Sequence, residues 1–264
     1  MHTRSSTRST PAHVDRATLL AAFDAELQPQ RFKDYGPNGL QVEGKARIGK
    51  IVSGVTASRA LIDAAIDAKA DALFVHHGLF WRGQDGTVTG WMKQRLQRLL
   101  AHDINLFAYH LPLDAHPTLG NNAQLGLRLG LVAEGHFGEQ ELGFIGRPAD
   151  GVPLADAAAL AQRLEKVLNR PVTRVGQAQA AIKKIAWCSG GAQSYFEAAI
   201  AAGAQAFITG EMSEPQAHLA RECGVLFYAC GHHATERYGA PALAGHVAAS
   251  LGVAHEFIDI DNPA

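Results

Sequence analysis

Short, largely apolar runs recur along the chain at 51–55, 72–75, 106–109, 185–188, 206–209 and 225–228, separated by longer amphipathic stretches. Runs of this length without strict alternation read as strands buried on both faces. The stretches between them carry apolar residues at helical spacing. Leu61, Ile62, Ala65 and Ile66 share one face of 58–69, and Met92, Leu96, Leu99 and Leu100 mark the next helix. Further helices are expected at 121–129, 193–202, 214–221 and 241–250, with a last strand at 255–260. This alternation predicts an α/β fold of two similar lobes, each with a mainly parallel sheet covered by helices.

Upstream, Asp15 can cap a helix that turns Leu19, Leu20, Phe23 and Leu27 to one side. The turn dipeptides Gly36-Pro37 and Asn38-Gly39 then break regular structure between 34 and 44. From 131 to 183 the alternation lapses. A short strand is expected at 143–146, an alanine-rich helix opened by Pro153 with Leu160, Leu164 and Leu168 inward, and another strand at 171–175. No chemical constellation lies there, so the region reads as scaffold or oligomer contact. The expected division is a disordered Ser/Thr/Arg-rich tail at 1–13, a first lobe at 14–130 and a second at 131–264, whose end can return to the first.

An internal match supports two lobes. Asp63-Ala-Ala-Ile66, Ala68, Ala70 and Ala72-Leu-Phe-Val75 align at constant offset with Glu197-Ala-Ala-Ile200, Ala202, Ala204 and Ala206-Phe-Ile-Thr209. Most identities are alanine, so shared helix-strand physics accounts for them as well as duplication does. Either way, His76-His77 and Gly210-Glu211 occupy equivalent strand ends.

Composition narrows the class. Of 264 residues, 47% are hydrophobic, enough for a large core and against general disorder. The net charge of -1 gives no electrostatic case for binding nucleic acid or an anionic membrane, and no apolar run approaches the ~20 residues of a membrane span. Three cysteines without a C-x-x-C pattern fit a reducing cytoplasm.

The candidate chemistry sits where the strands stop. One run ends in His76-His77, one in His110 with Asp114 just beyond, and one at Gly231 followed by His232, His233, Thr235 and Glu236. Ligands of open α/β sheets gather at such ends. Three imidazoles (His76, His77, His232) and two carboxylates (Asp114, Glu236) exceed what one open metal site takes, and suit two divalent cations sharing carboxylates. Mixed nitrogen and oxygen ligands admit Zn, Fe, Mn or Ni. His110 reads as a residue orienting a ligand from behind, or as a polar strand cap. Glu211 reads as a general base, or as a surface ion pair. Ser189-Gly-Gly191 could receive an anion or simply pack a strand against a helix, and Phe80-Trp81 could stack a planar substrate or belong to the core. Solvent exposure is the expectation for His233, and a helix-surface position for His218.

Several of these segments together resemble one family. Asp34-Tyr-Gly-Pro-Asn-Gly-Leu-Gln-Val-Glu-Gly44, Val75-His-His-Gly78, Tyr109-His-Leu-Pro-Leu-Asp114, Gly120-Asn-Asn122, Cys188-Ser-Gly-Gly-Ala192, Thr209-Gly-Glu-Met-Ser-Glu214 and Gly231-His-His-Ala-Thr-Glu-Arg237 are similar to the GTP cyclohydrolase 1 type 2 homologue family, also called NIF-three-like. The resemblance runs from about residue 14 to the C-terminus. It implies a two-lobed α/β subunit in a toroidal homohexamer, with a dinuclear metal site whose ligands fall on His76, His77, Asp114, His232 and Glu236. The expected function is hydrolysis of a small nucleotide- or pterin-like substrate by a metal-bridging hydroxide. The alternative is a metal-binding ring that serves as scaffold or regulator without catalysis.

Overall fold

A computed structural model of the chain describes residues 13–177 and 181–264, so the tail expected at 1–13 lies almost wholly outside the described residues. Two sheets dominate. The first has five strands in the order Ala254–Phe257, Lys50–Thr56, Ala72–His77, Asn105–Ala108 and Gly39–Val42. Its first four strands run parallel, and Gly39–Val42 closes the edge antiparallel. The second sheet has six strands in the order Leu131–Phe137, Gly143–Pro148, Ile185–Trp187, Ala206–Thr209, Leu226–Ala229 and Thr173–Val175.

Only the three central strands of the second sheet are parallel to one another; both flanks are antiparallel. The expectation of mainly parallel sheets therefore holds for the first sheet and for the centre of the second. The departure has a local cause. Leu131–Phe137 and Gly143–Pro148 form a hairpin across Gly138 (φ 77°), and a hairpin can only pair antiparallel. The chain also returns at its end. The helix Gly239–Leu251 packs with Arg16–Leu27 on one face of the first sheet, and the strand Ala254–Phe257 pairs with Lys50–Thr56.

Helices cover both faces of each sheet, as buried strands require. Leu61, Ile62 and Leu99 close the far side of the first sheet. Leu160, Leu164 and Leu168 line one face of the second, and Phe196, Ala199 and Ala220 the other. The internal match survives in three dimensions. Ile51 pairs with Ala72, and Ile185 with Ala206, in the same relative register. The helices between them also end alike, at Ala68 and Ala202, both with φ −73° and ψ −3°. Among the described residues no helix is long and apolar enough to cross a membrane.

Candidate metal centre

The site assembles at the carboxyl ends of parallel strands, where ligands of open α/β sheets gather. His76 and His77 are the last two residues of Ala72–His77. The neighbouring strand Asn105–Ala108 leads through His110 into the short helix Leu111–Ala115, with Pro112 in its first turn and Asp114 buried beyond it. From the second sheet, Leu226–Ala229 leads through Gly231 (φ 97°) into the five-residue helix His232–Glu236. A non-glycine residue is strained at that φ. The next helix starts separately at Gly239, with Pro241 in its first turn, so the His232–Glu236 turn stands alone.

This folding brings His76, His77, Asp114, His232 and Glu236 together. His76 Nε2 lies 3.5 Å from Asp114 Oδ1 and 3.4 Å from Glu236 Oε1. The other oxygen, Glu236 Oε2, lies 3.2 Å from His77 Nε2 and 3.1 Å from His232 Nε2. Two triads capable of holding a cation result, His76–Asp114–Glu236 and His77–His232–Glu236, with Glu236 common to both. His110 joins His76 and His77 in a third such group.

The surroundings aim these atoms inward. The Nδ1 of His76 lies 3.1 Å from the Tyr109 carbonyl, that of His77 3.0 Å from Thr56 Oγ1, and that of His232 2.6 Å from Glu211 Oε1. Each imidazole thus has Nδ1 engaged and Nε2 directed at the cluster, the arrangement that fixes a metal-ligating histidine. Asp114 Oδ1 accepts from Asn121 Nδ2 (2.9 Å) and Ser189 Oγ (3.2 Å). Asn121 Oδ1 in turn accepts from the Gly239 amide, and Asn122 Oδ1 from the Ser189 amide, so one amide pair links the elements that build the site.

A cation fits this donor set on an observation independent of likeness. His76 Nε2 and Glu236 Oε2 are buried, yet neither has a hydrogen bond of sound geometry. Buried polar atoms are ordinarily satisfied. Nitrogens and oxygens that converge on a common space, without lying along N–H···O lines, suit coordination better than ion pairing.

Electrostatics agree. Burial disfavours a charged His76, but Asp114 and Glu236 outweigh it and raise its pKa to about 9. His232 is likewise opposed by burial and raised to about 9 by Glu236 and Glu211. Burial lowers His77, helped by the neighbouring His76 and His110. Burial would push Glu236 up, but His76, His77 and His232 hold it well below the usual carboxylate range. A raised folded-state pKa means that the charged His76 and His232 help the metal-free fold below about pH 6.5, and that this help fades as pH rises through about 9. Coordination needs the neutral rings, so the sign for cation uptake is opposite. Affinity is expected to rise with pH up to about 9 and then level off, with protons released on binding below that pH. Calorimetry in two buffers of different ionisation enthalpy reads that release directly.

The remaining candidates separate. His110 Nδ1 is 2.7 Å from Asp34 Oδ1, and the Asp34 carboxylate also accepts from Asn38 Nδ2 and the Leu111 amide. Burial opposes the charge on Asp34, but His110, Asn38 and the Tyr35 amide hold its pKa low. Glu211 stands behind His232. Trp81 sets its ring edge-on to His110 at 5.0 Å, facing the site, whereas Phe80 packs on the core. His233 Nε2 lies 2.8 Å from Asp259 Oδ1 and is half-buried, and His218 sits exposed beside Glu214 on its helix. The amides of Ser189 and Gly190 are taken by Asn122 and Thr235, so they do not form an anion cradle. Sequence reasoning assigned no role to Asp34, Thr56 or Asn121, and gave Ser189 only a place in an anion-receiving turn, not its hydrogen bond to Asp114. Asp34 and Asn121 lay inside conspicuous segments, but no local pattern tied them to a ligand.

Comparison with known proteins adds the lineage. The chain is 53% identical over 251 residues to a Neisseria meningitidis protein named "GTP cyclohydrolase 1 type 2 homolog", covering 95% of this chain and all of that protein. A Pseudomonas aeruginosa protein of the same name is 48% identical, covering 94% of this chain and 98% of that one. Among solved structures, protein ybgI, described as of unknown function, superposes with TM-score 0.91 at 45% identity, covering 95% of this chain and all of its own. TTHA1606 of Thermus thermophilus gives 0.86 at 32%, again over 95% of this chain and all of that one. The profile of the Duf34/NIF3 family (NGG1p interacting factor 3) matches residues 14–263, and this chain belongs to that family.

Proposed function

We propose that the protein is a dinuclear metal-dependent hydrolase acting on a small nucleotide- or pterin-like substrate. Glu236 carries this reading: its two oxygens face different imidazoles, Oε1 towards His76 and Oε2 towards His77 and His232. His76 and Asp114 would hold one cation, His77 and His232 the other, and Glu236 both; Zn, Fe, Mn or Ni suit such donors. A cation pair supplies Lewis acidity and lowers the pKa of water.

The chain's own groups do the rest. Asp34 fixes the His110 ring through Nδ1, leaving Nε2 as the nitrogen that can take or give a proton in the cavity His110 lines. Glu211 orients His232 and keeps its Nε2 on the cluster, a positioning task in place of the general-base role. A reducing cytoplasm suits the free thiols of Cys188, Cys223 and Cys230. Self-assembly into a homohexameric ring belongs to this reading on the family resemblance.

The test is a hydrolysis panel of nucleotides, pterins and phosphoesters with metal-replete protein. His110→Ala is expected to keep its metal content and lose about 10²–10⁴-fold in turnover. Metal-replete wild type that hydrolyses nothing would favour the non-catalytic scaffold instead.

A further inference from the structure

Beside the cluster, between the two sheets, lies a cavity of about 210 Å³. It is smaller than the roughly 300–1,000 Å³ pockets that hold drug-sized ligands, so it suits one ring system better than a nucleotide. Its size is also held. Gln140, at positive φ (52°), accepts from the Lys33 amide (2.7 Å) and donates to the Lys33 carbonyl (3.2 Å), strapping a loop of the first lobe to a turn of the second.

Aromatic and aliphatic side chains form part of the cavity lining, beside the polar Glu139, Gln140 and Ser194. Tyr35 and Tyr195 are among the lining residues, with Leu111 and Leu142. Tyr195 is fixed in place: its hydroxyl donates to the Glu139 carbonyl at 3.1 Å, and its ring lies against Gly138, where a Cβ would overlap it. A pre-set aromatic wall is what stacks a planar base.

The charge of the lining points the same way. Among the described residues that line the cavity there is no lysine or arginine, so away from the cation positions no side chain of the lining clamps phosphate. Its acids include Asp114 and Glu236, which the cations would neutralise, and Glu139, which has no ion pair among the described residues. A carboxylate near a polyphosphate tail repels it and works against its binding.

We propose that the cavity receives a planar, unphosphorylated nitrogen heterocycle, stacked on Tyr195 and Tyr35 with one edge towards the metal cluster. This rests on the hydrolase reading above and names the substrate class for it. A nucleoside triphosphate has the ring, but away from the cation positions its tail finds no lysine or arginine in this lining.

The experiment titrates the full, metal-loaded chain with pterin, hypoxanthine, inosine, inosine monophosphate and inosine triphosphate by calorimetry. Metal content is checked after each titration, and the same samples are assayed for products. Binding is expected for a free ring compound, at least about tenfold tighter than for the triphosphate, and Tyr195→Leu should weaken it about tenfold. Glu139→Lys should strengthen triphosphate binding relative to that of the ring compound. Preference for the triphosphate, no binding by any ring compound, or an unchanged affinity in Tyr195→Leu each overturns the proposal. Ring compounds that bind but are not converted would remove the hydrolase reading and leave the binding class standing. A triphosphate bound and hydrolysed in preference would do the reverse.

Discussion

Glu236→Ala is expected to empty both cation positions, taking bound metal from about two equivalents per chain to near none. No other side chain of the cluster has this reach. Asp114 faces only His76, and His232 stands with His77, so Asp114→Ala and His232→Ala should each weaken chiefly one position. Glu236 contributes one oxygen to each triad, and it is almost wholly buried, so solvent cannot readily stand in for it. Loss of a group that merely orients a ligand costs about 10–100-fold in affinity, and loss of a shared ligand should exceed that. Elemental analysis after dialysis against trace metal distinguishes the cases. If Glu236→Ala retained two equivalents, Glu236 would not be the shared carboxylate.

Gly190→Ala should do comparable damage without touching a ligand. Gly190 sits at φ 66°, and a Cβ there would overlap the Glu236 carboxylate and come within 3.1 Å of His232 Nε2. The left-handed conformation alone costs an alanine roughly 1–2 kcal/mol. The larger effect comes from displacing Glu236: Thr235 Oγ1 accepts from the Gly190 amide at 2.9 Å, pinning the loop to the turn that carries His232 and Glu236. The variant is expected to fold with lowered thermal stability and at least about tenfold weaker metal binding. Gly151→Ala is the control. Its φ is 73°, but a Cβ there meets nothing, so it should show only the backbone cost. Equal metal affinity in the two variants would contradict the close approach.

The position of the site was legible because apolar runs stop abruptly at imidazoles. A buried strand such as Ala72–His77 has no packing reason to end in two histidines, so the residue types themselves marked the strand end as chemical. His232 and Glu236 were legible as groups gathered just past a strand end; that they lie on one short helical turn is seen only in the structure. What stayed hidden depends on contacts between distant segments. Asp34 meets His110 across 76 residues, and nothing around Asp34 in the sequence announces that partner. Glu211 was visible as an acid at a strand end, but its attachment to His232 depends on how two neighbouring strand ends are placed. Gly39–Val42 was masked by the turn dipeptides before it, and Leu131–Phe137 by Glu134, Gly135 and His136, which interrupt any run of apolar residues on this edge strand. Pairing of Ala254–Phe257 with Lys50–Thr56 spans most of the chain, and periodicity carries no information about it.

The most direct measurement is anomalous diffraction from crystals of the metal-loaded protein, recorded at the absorption edge of the bound element. Two peaks are expected about 3.5–4 Å apart, one beside His76 and Asp114, the other beside His77 and His232, with the Glu236 carboxylate between them. A single peak, or a pair that leaves Glu236 outside the shared position, would contradict the account.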